Sequence, residues 1–124
     1  MVNDRLEPAR REELADALTA AFGPLDAPAL AEVGSKLDWV ALAGGETLFH
    51  QGDRGNDVYV VVNGRLRAVA EDAVGGVRVL EESGRGSAIG ELGLLTGEPR
   101  AATVLALRDS DLVRLPKTAF DALL

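Results

Sequence analysis

The regular spacing of turn residues from Lys36 onward is the feature of this 124-residue chain that most constrains its fold. Short β-like runs alternate there with turns at Gly44-Gly45, Gly52 to Asn56, Asn63-Gly64, Gly75-Gly76 and Gly84-Arg85-Gly86. Strands at such a spacing, about eight of them, are typical of an antiparallel barrel or jelly roll. We therefore predict a mainly β fold with flanking helices, a β-roll or double-stranded β-helix of the jelly-roll barrel type.

The sharpest local signal for a hairpin is Asn63-Gly64, which lies between the β-like runs Val58–Val62 and Arg65–Ala70. A two-residue type I′ turn requires positive φ at both central residues, and asparagine and glycine adopt it most readily. The pair therefore predicts a type I′ hairpin.

Helices are predicted at both ends of the chain. Apolar residues recur at steps of four over residues 11–22, which is typical of an amphipathic helix. Asp26 is placed to cap a second helix over residues 27–33, which Gly34 would end. A terminal helix over Lys117–Leu124 follows Pro116. Because a helix this short is marginal alone, we expect it to dock on the barrel or to be truncated here.

Length and composition restrict the possible functions. A chain of this size holds one domain, which we place at residues 26–124, with residues 1–25 as a lead-in helix. The net charge of −7 and the scattered arginines disfavour nucleic acid as a partner. With no cysteine and the single histidine His50, we expect no metal site and no redox cofactor. Because no nucleophile and base pair is recognisable, we expect no catalytic residue and no enzyme activity in this segment.

The start of the chain and its apolar runs bear on its location. Residues 1–5 lack the charged and then apolar layout of a signal peptide, and no apolar run is long enough to span a bilayer. We therefore expect a cytoplasmic domain without membrane insertion.

Residues 90–104, called the cassette below, point to a ligand. Glu91 follows Gly90, and Arg100 stands nine residues further on, directly after Pro99. A guanidinium matches two phosphate oxygens, whereas a carboxylate accepts hydrogen bonds from hydroxyls and repels phosphate. The Leu-rich turn between them predicts a short helix whose free N–H groups favour an anion. The pair predicts a sugar phosphate, with Glu91 on the sugar and Arg100 on the phosphate.

Each residue alone has a simpler interpretation. Glu91 could be an acid at a helix start, stabilised by the helix dipole, and Arg100 could be a solvated arginine or a partner of Glu98.

The cassette, with its Gly-Glu-Leu-Gly-Leu-Leu and Pro-Arg-Ala-Ala-Thr-Val runs, resembles the phosphate-binding cassette of the cyclic nucleotide-binding domains. That family includes the regulatory subunits of cyclic-AMP-dependent protein kinase and the bacterial catabolite activator. The upstream glycine pattern from Gly45 to Gly64 is similar as well, so the resemblance covers residues 26–124. It implies a regulatory module that binds a cyclic nucleotide and relays its occupancy to an effector outside this chain.

The resemblance also implies roles for individual residues. The cassette residues expected at the ligand are Gly90, Glu91, Leu92, Arg100, Ala101 and Ala102. An apolar wall for the base would be formed by Ala68, Leu80 and Val104. Family members that prefer cyclic GMP often carry threonine where Ala101 stands, so alanine favours cyclic AMP and leaves cyclic GMP possible.

Two further expectations concern the partner of the module. Residues 21–26 and 96–100 are similar to bacterial proteins in which this domain precedes a patatin-like phospholipase, the neuropathy target esterase group. An effector on the C-terminal side is therefore expected. The alternative is a degenerate roll that binds no nucleotide and serves as a protein interaction module. Such members usually lose the arginine or the glutamate, and this chain has both.

Overall fold

The computed structural model describes residues 6–90 and 97–121, and within them it has three helices and eight strands. The helices are α1 (Leu6–Phe22), α2 (Ala27–Lys36) and α3 (Lys117–Asp121). The strands are β1 (Asp38–Leu42), β2 (Thr47–Phe49), β3 (Asp57–Asn63), β4 (Leu66–Glu71), β5 (Val77–Ser83), β6 (Ala88–Ile89), β7 (Thr103–Ala106) and β8 (Ser110–Pro116).

The strands form two four-stranded sheets. The first sheet has the order β1-β8-β3-β6 and the second sheet has the order β2-β7-β4-β5. Every pairing is antiparallel. The arrangement confirms the prediction of a mainly β fold of the jelly-roll type with flanking helices.

The central strands of the first sheet, β3 and β8, are buried on both faces. Side chains alternate across a strand, so neighbours on β3 and β8 serve different cores. Val60 and Leu115 pack with α1 and α2 beneath the helices, whereas Val61 and Leu112 pack against the second sheet. All four side chains are fully buried. This sheet is therefore the middle layer between the helices and the second sheet.

The second sheet is much more open. Strand β5 is its edge strand, and Val77, Val79 and Leu80 are 61%, 55% and 46% exposed. By contrast, Leu66 on β4 and Ala106 on β7 are buried against the first sheet. The second sheet thus has a packed part next to β7 and an open part along β5.

Helix α2 extends further than the sequence predicted. The side chain of Asp26 accepts a hydrogen bond from the N–H of Ala29 at 2.8 Å, which confirms the predicted N-cap. The predicted end at Gly34 is wrong, because the helix runs to Lys36 and its capping N–H comes from Leu37. An ion pair between Lys36 and Glu32 at 2.8 Å supports this last turn.

The predicted type I′ hairpin is also wrong. Gly64 has a φ of +111°, but no residue other than glycine has a positive φ in the part of the chain that the structure describes. Asn63 instead stays in β3, where its side chain donates a hydrogen bond to Asp111 at 3.0 Å. Pairing with β8 therefore holds Asn63 extended. Strands β3 and β4 lie in different sheets, so Gly64 and Arg65 connect them without forming a hairpin.

The terminal helix packs on the roll through Phe120. This side chain is buried against Val58 of β3, and its ring centroid lies 5.9 Å from that of Phe22 in α1. The last residues of the predicted helix, 122–124, lie outside the described residues, as does the short helix predicted between Glu91 and Gly97. Within the described residues, no helix has the length and apolarity that crossing a bilayer would require.

Candidate functional site

A cavity of about 630 Å³ opens between the second sheet and the cassette. Its volume is within the usual range of small-molecule sites, about 300–1,000 Å³. The residues that line it are Phe49, Ala68, Leu80, Glu81, Ala88, Ile89, Gly90, Glu98, Pro99, Arg100, Ala101, Ala102 and Val104.

Seven of the nine residues predicted at the ligand line this one cavity. They are Gly90, Arg100, Ala101, Ala102, Ala68, Leu80 and Val104. The other two, Glu91 and Leu92, lie outside the described residues.

Arg100 is the electrostatic centre of the cavity. It is only 7% exposed, and it is the one charged side chain that is buried among the residues that the structure describes. Its Nη2 donates a hydrogen bond to the carbonyl of Asp57 at 3.0 Å, and its Nη1 makes a longer contact of 3.4 Å with the carbonyl of Gly90. None of the ion pairs within the described residues involves Arg100. Because an unpaired buried charge is costly, this arrangement favours an anion as ligand.

Two aromatic rings lie close to the guanidinium of Arg100. The Cζ atom of Arg100 lies 4.3 Å from the ring centroid of Phe49 and 6.0 Å from that of Tyr59. A planar guanidinium stacks favourably on an aromatic face, and the contact fixes its plane. The rings thus orient Arg100 while leaving its charge without a carboxylate in the described part of the chain.

Two glycines let the backbone approach the guanidinium. A Cβ atom added to Gly55 would lie 2.6 Å from Nη2 of Arg100, and one added to Gly90 would collide with Nη1. Gly90 also has a φ of +89°, which favours glycine. Side chains at these positions would displace the guanidinium, so both glycines contribute to the site through their size.

The loop between β2 and β3 holds the backbone of Arg100. The N–H of Gly52 donates to the carbonyl of Arg100, and the N–H of Arg100 donates to the carbonyl of Asp53, both at 2.8 Å. Arg100 is therefore held at its backbone by this loop and at its side chain by the first residue of β3.

The apolar wall of the cavity comes from three neighbouring strands. Ala68 of β4 lies opposite Val104 of β7 in the ladder. Strand β5 contains a register shift, because Ala68 pairs with Glu81 and Val69 pairs with Val79. Leu80 is the extra residue between them, and such a bulge re-aims a side chain. The irregularity accounts for the position of Leu80 at the cavity on an otherwise exposed strand.

The charges at the cavity rim are negative. Glu81 and Glu98 line the cavity and are exposed, whereas Arg100 lies buried within it. An anionic group is repelled by the rim and attracted at Arg100, so a ligand with one charged end has a preferred orientation.

A cluster next to the cavity involves Glu82 on the exposed surface of β4 and β5. Arg67 and Arg65 donate hydrogen bonds to its carboxylate at 2.8 and 3.0 Å. Their hydrogen bonds, that of Arg67 first, hold the pKa of Glu82 below its usual range. These two arginines are paired with Glu82 outside the cavity, whereas no carboxylate within the described residues pairs with Arg100.

The sequence did not identify every residue of the site. In the sequence Phe49 has only the signature of an apolar strand residue, and its contact with Arg100 depends on the two sheets coming together. The carbonyl of Asp57 and the small size of Gly55 were missed too. A main-chain acceptor has no signature in a single sequence.

Comparison with known proteins gives the family. The model of the cyclic nucleotide-binding domain family matches residues 39–124. Lysophospholipase NTE1 from Chaetomium globosum is 44% identical over 87 residues, which are 70% of this chain and 6% of that protein. The chain thus spans only a small part of the length of the curated relatives it matches.

Two solved structures show the same fold. The regulatory domain of protein kinase A from Toxoplasma gondii, crystallised with cyclic AMP, has a TM-score of 0.84 and 32% identity; 94% of this chain matches 45% of that one. The regulatory subunit of a cyclic-AMP-independent protein kinase A from Trypanosoma cruzi, bound to guanosine, has a TM-score of 0.79 and 27% identity; the match covers 92% of this chain and 41% of that one. With the family match over most of its length, this chain belongs to the cyclic nucleotide-binding domain family.

Proposed function

We propose that this chain is a regulatory module that binds cyclic AMP and relays its occupancy to an effector elsewhere in the same protein. The main support for the proposal is the environment of Arg100. Its guanidinium is buried in a cavity of nucleotide size, and no carboxylate among the described residues pairs with it. A cyclic phosphate would supply the missing negative charge.

In this arrangement each part of the nucleotide has its own partner. Arg100 binds the phosphate oxygens, and Glu91 accepts a hydrogen bond from the ribose 2′-hydroxyl. Ala68, Leu80 and Val104 form the apolar wall for the base. The carboxylates Glu81 and Glu98 at the rim disfavour the reverse orientation, in which the phosphate would lie outermost.

The geometry also supports a route from the ligand to the terminal helix. Asp57, whose carbonyl accepts from Arg100, is followed directly by Val58, and Val58 packs on Phe120 of α3. A phosphate that draws the guanidinium toward itself alters the contact with Asp57 and biases the packing of α3. Such a relay needs only a ligand that binds one arrangement better than the other.

The relatives support the choice of ligand in part. The neighbour from Toxoplasma gondii is bound to cyclic AMP and the one from Trypanosoma cruzi to guanosine, so this fold accepts ligands with and without a phosphate. The effector proposed here is a phospholipase domain, because the curated relatives are lysophospholipases of which this chain matches 6%.

The proposal is tested by calorimetric titration of the chain with cyclic AMP, cyclic GMP, 5′-AMP and guanosine. We expect cyclic AMP to bind about tenfold or more tightly than guanosine, which lacks a phosphate, since a charged hydrogen bond contributes about 1.5–3 kcal/mol. Cyclic GMP tests the base and 5′-AMP tests the ring of the phosphate, and both should bind more weakly than cyclic AMP. Tighter binding of guanosine would contradict a phosphate site. Absence of binding to all four would favour the alternative, a protein interaction module. Amide exchange in Lys117–Asp121 measures the relay, and we expect it to slow when cyclic AMP is bound.

A further inference from the structure

The side chain of Gln51 makes a pair of hydrogen bonds that the proposed binding site does not use directly. Its Nε2 donates to the carbonyl of Glu71 at 3.1 Å, and its Oε1 accepts from the N–H of Glu71 at 2.8 Å. Gln51 is exposed and lies in the β2–β3 loop, whereas Glu71 is the last residue of β4. A carboxamide has one donor and one acceptor side, as a peptide group does, so it can pair with a strand as a neighbouring strand would.

The position of this pair in the sheet is informative. Strand β4 pairs with β7 only as far as Val69 opposite Thr103, where β7 begins. The residues before Thr103 leave the sheet to form the segment that contains Arg100. The carboxamide of Gln51 therefore continues the ladder of β4 beyond Thr103, the first residue of β7. The N–H of Gln51 also donates to Oγ1 of Thr103 at 2.9 Å, which ties the loop to both strands.

The loop anchored in this way is the one that holds Arg100. Gly52 and Asp53, the two residues after Gln51, make the backbone hydrogen bonds to the carbonyl and the N–H of Arg100. The first of these bonds is made by Gly52, the residue directly after Gln51. A movement of Gln51 away from β4 would therefore shift the backbone of Arg100 relative to the apolar wall.

We propose that Gln51 is a positioning residue, whose carboxamide locks the β2–β3 loop to the end of β4 and thereby places Arg100 for the phosphate. The consequence for affinity rests on the proposed function, in which Arg100 binds the phosphate of cyclic AMP. The consequence for the backbone of Arg100 does not depend on any ligand.

The first test is hydrogen exchange on the chain without nucleotide. In Gln51→Ala we expect the amide of Arg100 to exchange about tenfold faster, because its acceptor, the carbonyl of Asp53, lies in a loop that is no longer clamped. The amide of Leu112 in the first sheet should not change. Gln51→Glu should behave as Gln51→Ala does, since a carboxylate cannot donate to the carbonyl of Glu71.

The second test is titration with cyclic AMP. Gln51→Ala and Gln51→Glu should each bind about five- to tenfold more weakly, which corresponds to one hydrogen bond of ordinary strength. In an Arg100→Lys background the same substitutions should lower the affinity by less than about twofold. The ammonium group of lysine is a point charge and lacks the planar, bidentate geometry of a guanidinium, so its placement matters less. Asp72→Ala is the matched control, since Asp72 follows Glu71 but bonds within the β4–β5 turn. It should leave the affinity unchanged.

The outcomes separate this inference from the proposed function. If the native chain does not bind cyclic AMP, the proposed function fails, and the exchange of the Arg100 amide still decides whether Gln51 positions it. Unchanged exchange at Arg100 in a folded Gln51→Ala variant would overturn the inference. Equal losses of affinity in the native and Arg100→Lys backgrounds would overturn it as well, because the effect would then not pass through Arg100.

Discussion

The first and second sheets of this roll have the same number of strands and very different surroundings. In the first sheet, strands β3 and β8 are buried on both faces, between the helices and the second sheet. In the second sheet, β5 is exposed along almost its whole length, and the cavity with Arg100 opens beside it. One sheet supplies most of the buried apolar surface, and the other supplies the walls of the candidate site.

The contrast explains how a small domain can contain a buried charge. Burial of an unpaired guanidinium is unfavourable, and the free energy of unfolding of a small domain is low. Here the cost arises at the edge of the structure, where Arg100 stacks on Phe49 and bonds to main-chain carbonyls. The packing of Val60, Val113 and Leu115 beneath the helices does not depend on it. Stability and ligand binding should therefore be separable by mutation.

The largest effect on stability is expected for Leu115→Ala in the first sheet. Leu115 is fully buried beneath the helices, and such a truncation costs about 2–5 kcal/mol of the free energy of unfolding. Chemical denaturation measures the loss. The affinity for cyclic AMP should be measured under conditions where the variant is folded. It should stay within about twofold of the native value, because unfolding does not compete with binding when nearly all of the protein is folded.

Leu80→Ala is the matched substitution in the second sheet. Leu80 is 46% exposed and lines the cavity, so its loss should change the free energy of unfolding by less than about 1 kcal/mol. It should weaken cyclic AMP binding several-fold, since each buried CH₂ contributes about 0.8 kcal/mol. If Leu115→Ala impaired binding more than Leu80→Ala did, the separation of the two sheets would be wrong.

A smaller effect, on specificity, is expected for Ala101→Thr. Ala101 is exposed, lines the cavity and follows Arg100 directly. A hydroxyl there can accept a hydrogen bond from the 2-amino group of guanine, which adenine lacks. We expect the ratio of cyclic GMP to cyclic AMP affinity to rise several-fold, or about 1 kcal/mol. Titration with both nucleotides measures the ratio, and a ratio equal to that of the native chain would place base selection elsewhere.

The smallest effect is expected for Glu82→Gln on the outer surface of the second sheet. Arg67 and Arg65 lower the pKa of Glu82 in the folded chain, so the charged form stabilises the fold above the ordinary pKa of a glutamate. That stability is lost as the pH falls through the lowered pKa. Glu82→Gln should therefore unfold at a slightly lower temperature than the native chain at neutral pH. The difference should vanish well below pH 4.5, the ordinary value. A difference that persists at low pH would exclude this explanation.

Much of the fold could be predicted because its signals are local. The turn glycines, the Asp26 cap and the alternating apolar runs each act within a few residues, and they lead to the correct class of fold. One error arose where a distant contact decides, and the other concerns a contact between residues only four positions apart. The pairing of Asn63 with Asp111 keeps Asn63 extended, and the ion pair of Lys36 with Glu32 accompanies a helix that continues past Gly34. Local propensity does not contain the first of these contacts.

The site divides in the same way. The cassette is continuous in sequence, so Arg100, Ala101 and Ala102 could be selected from their order alone. The support for Arg100 comes from Phe49, Gly55 and the carbonyl of Asp57, which are about forty to fifty residues away and meet it only after the sheets have formed. A single sequence indicates which side chain carries the charge, and the three-dimensional fold is needed to find what holds it.

Arg100→Met tests the central claim most directly, because methionine keeps much of the apolar volume and removes the charge. We predict that cyclic AMP affinity falls about 100-fold or more, from the loss of charged hydrogen bonds. The free energy of unfolding without nucleotide should change by less than about 1 kcal/mol, since a buried charge without a carboxylate partner in the described residues is removed. Both quantities can be measured on the same preparation. Binding within threefold of the native chain, or a loss of stability of several kcal/mol with binding retained, would contradict the account and make Arg100 a structural residue.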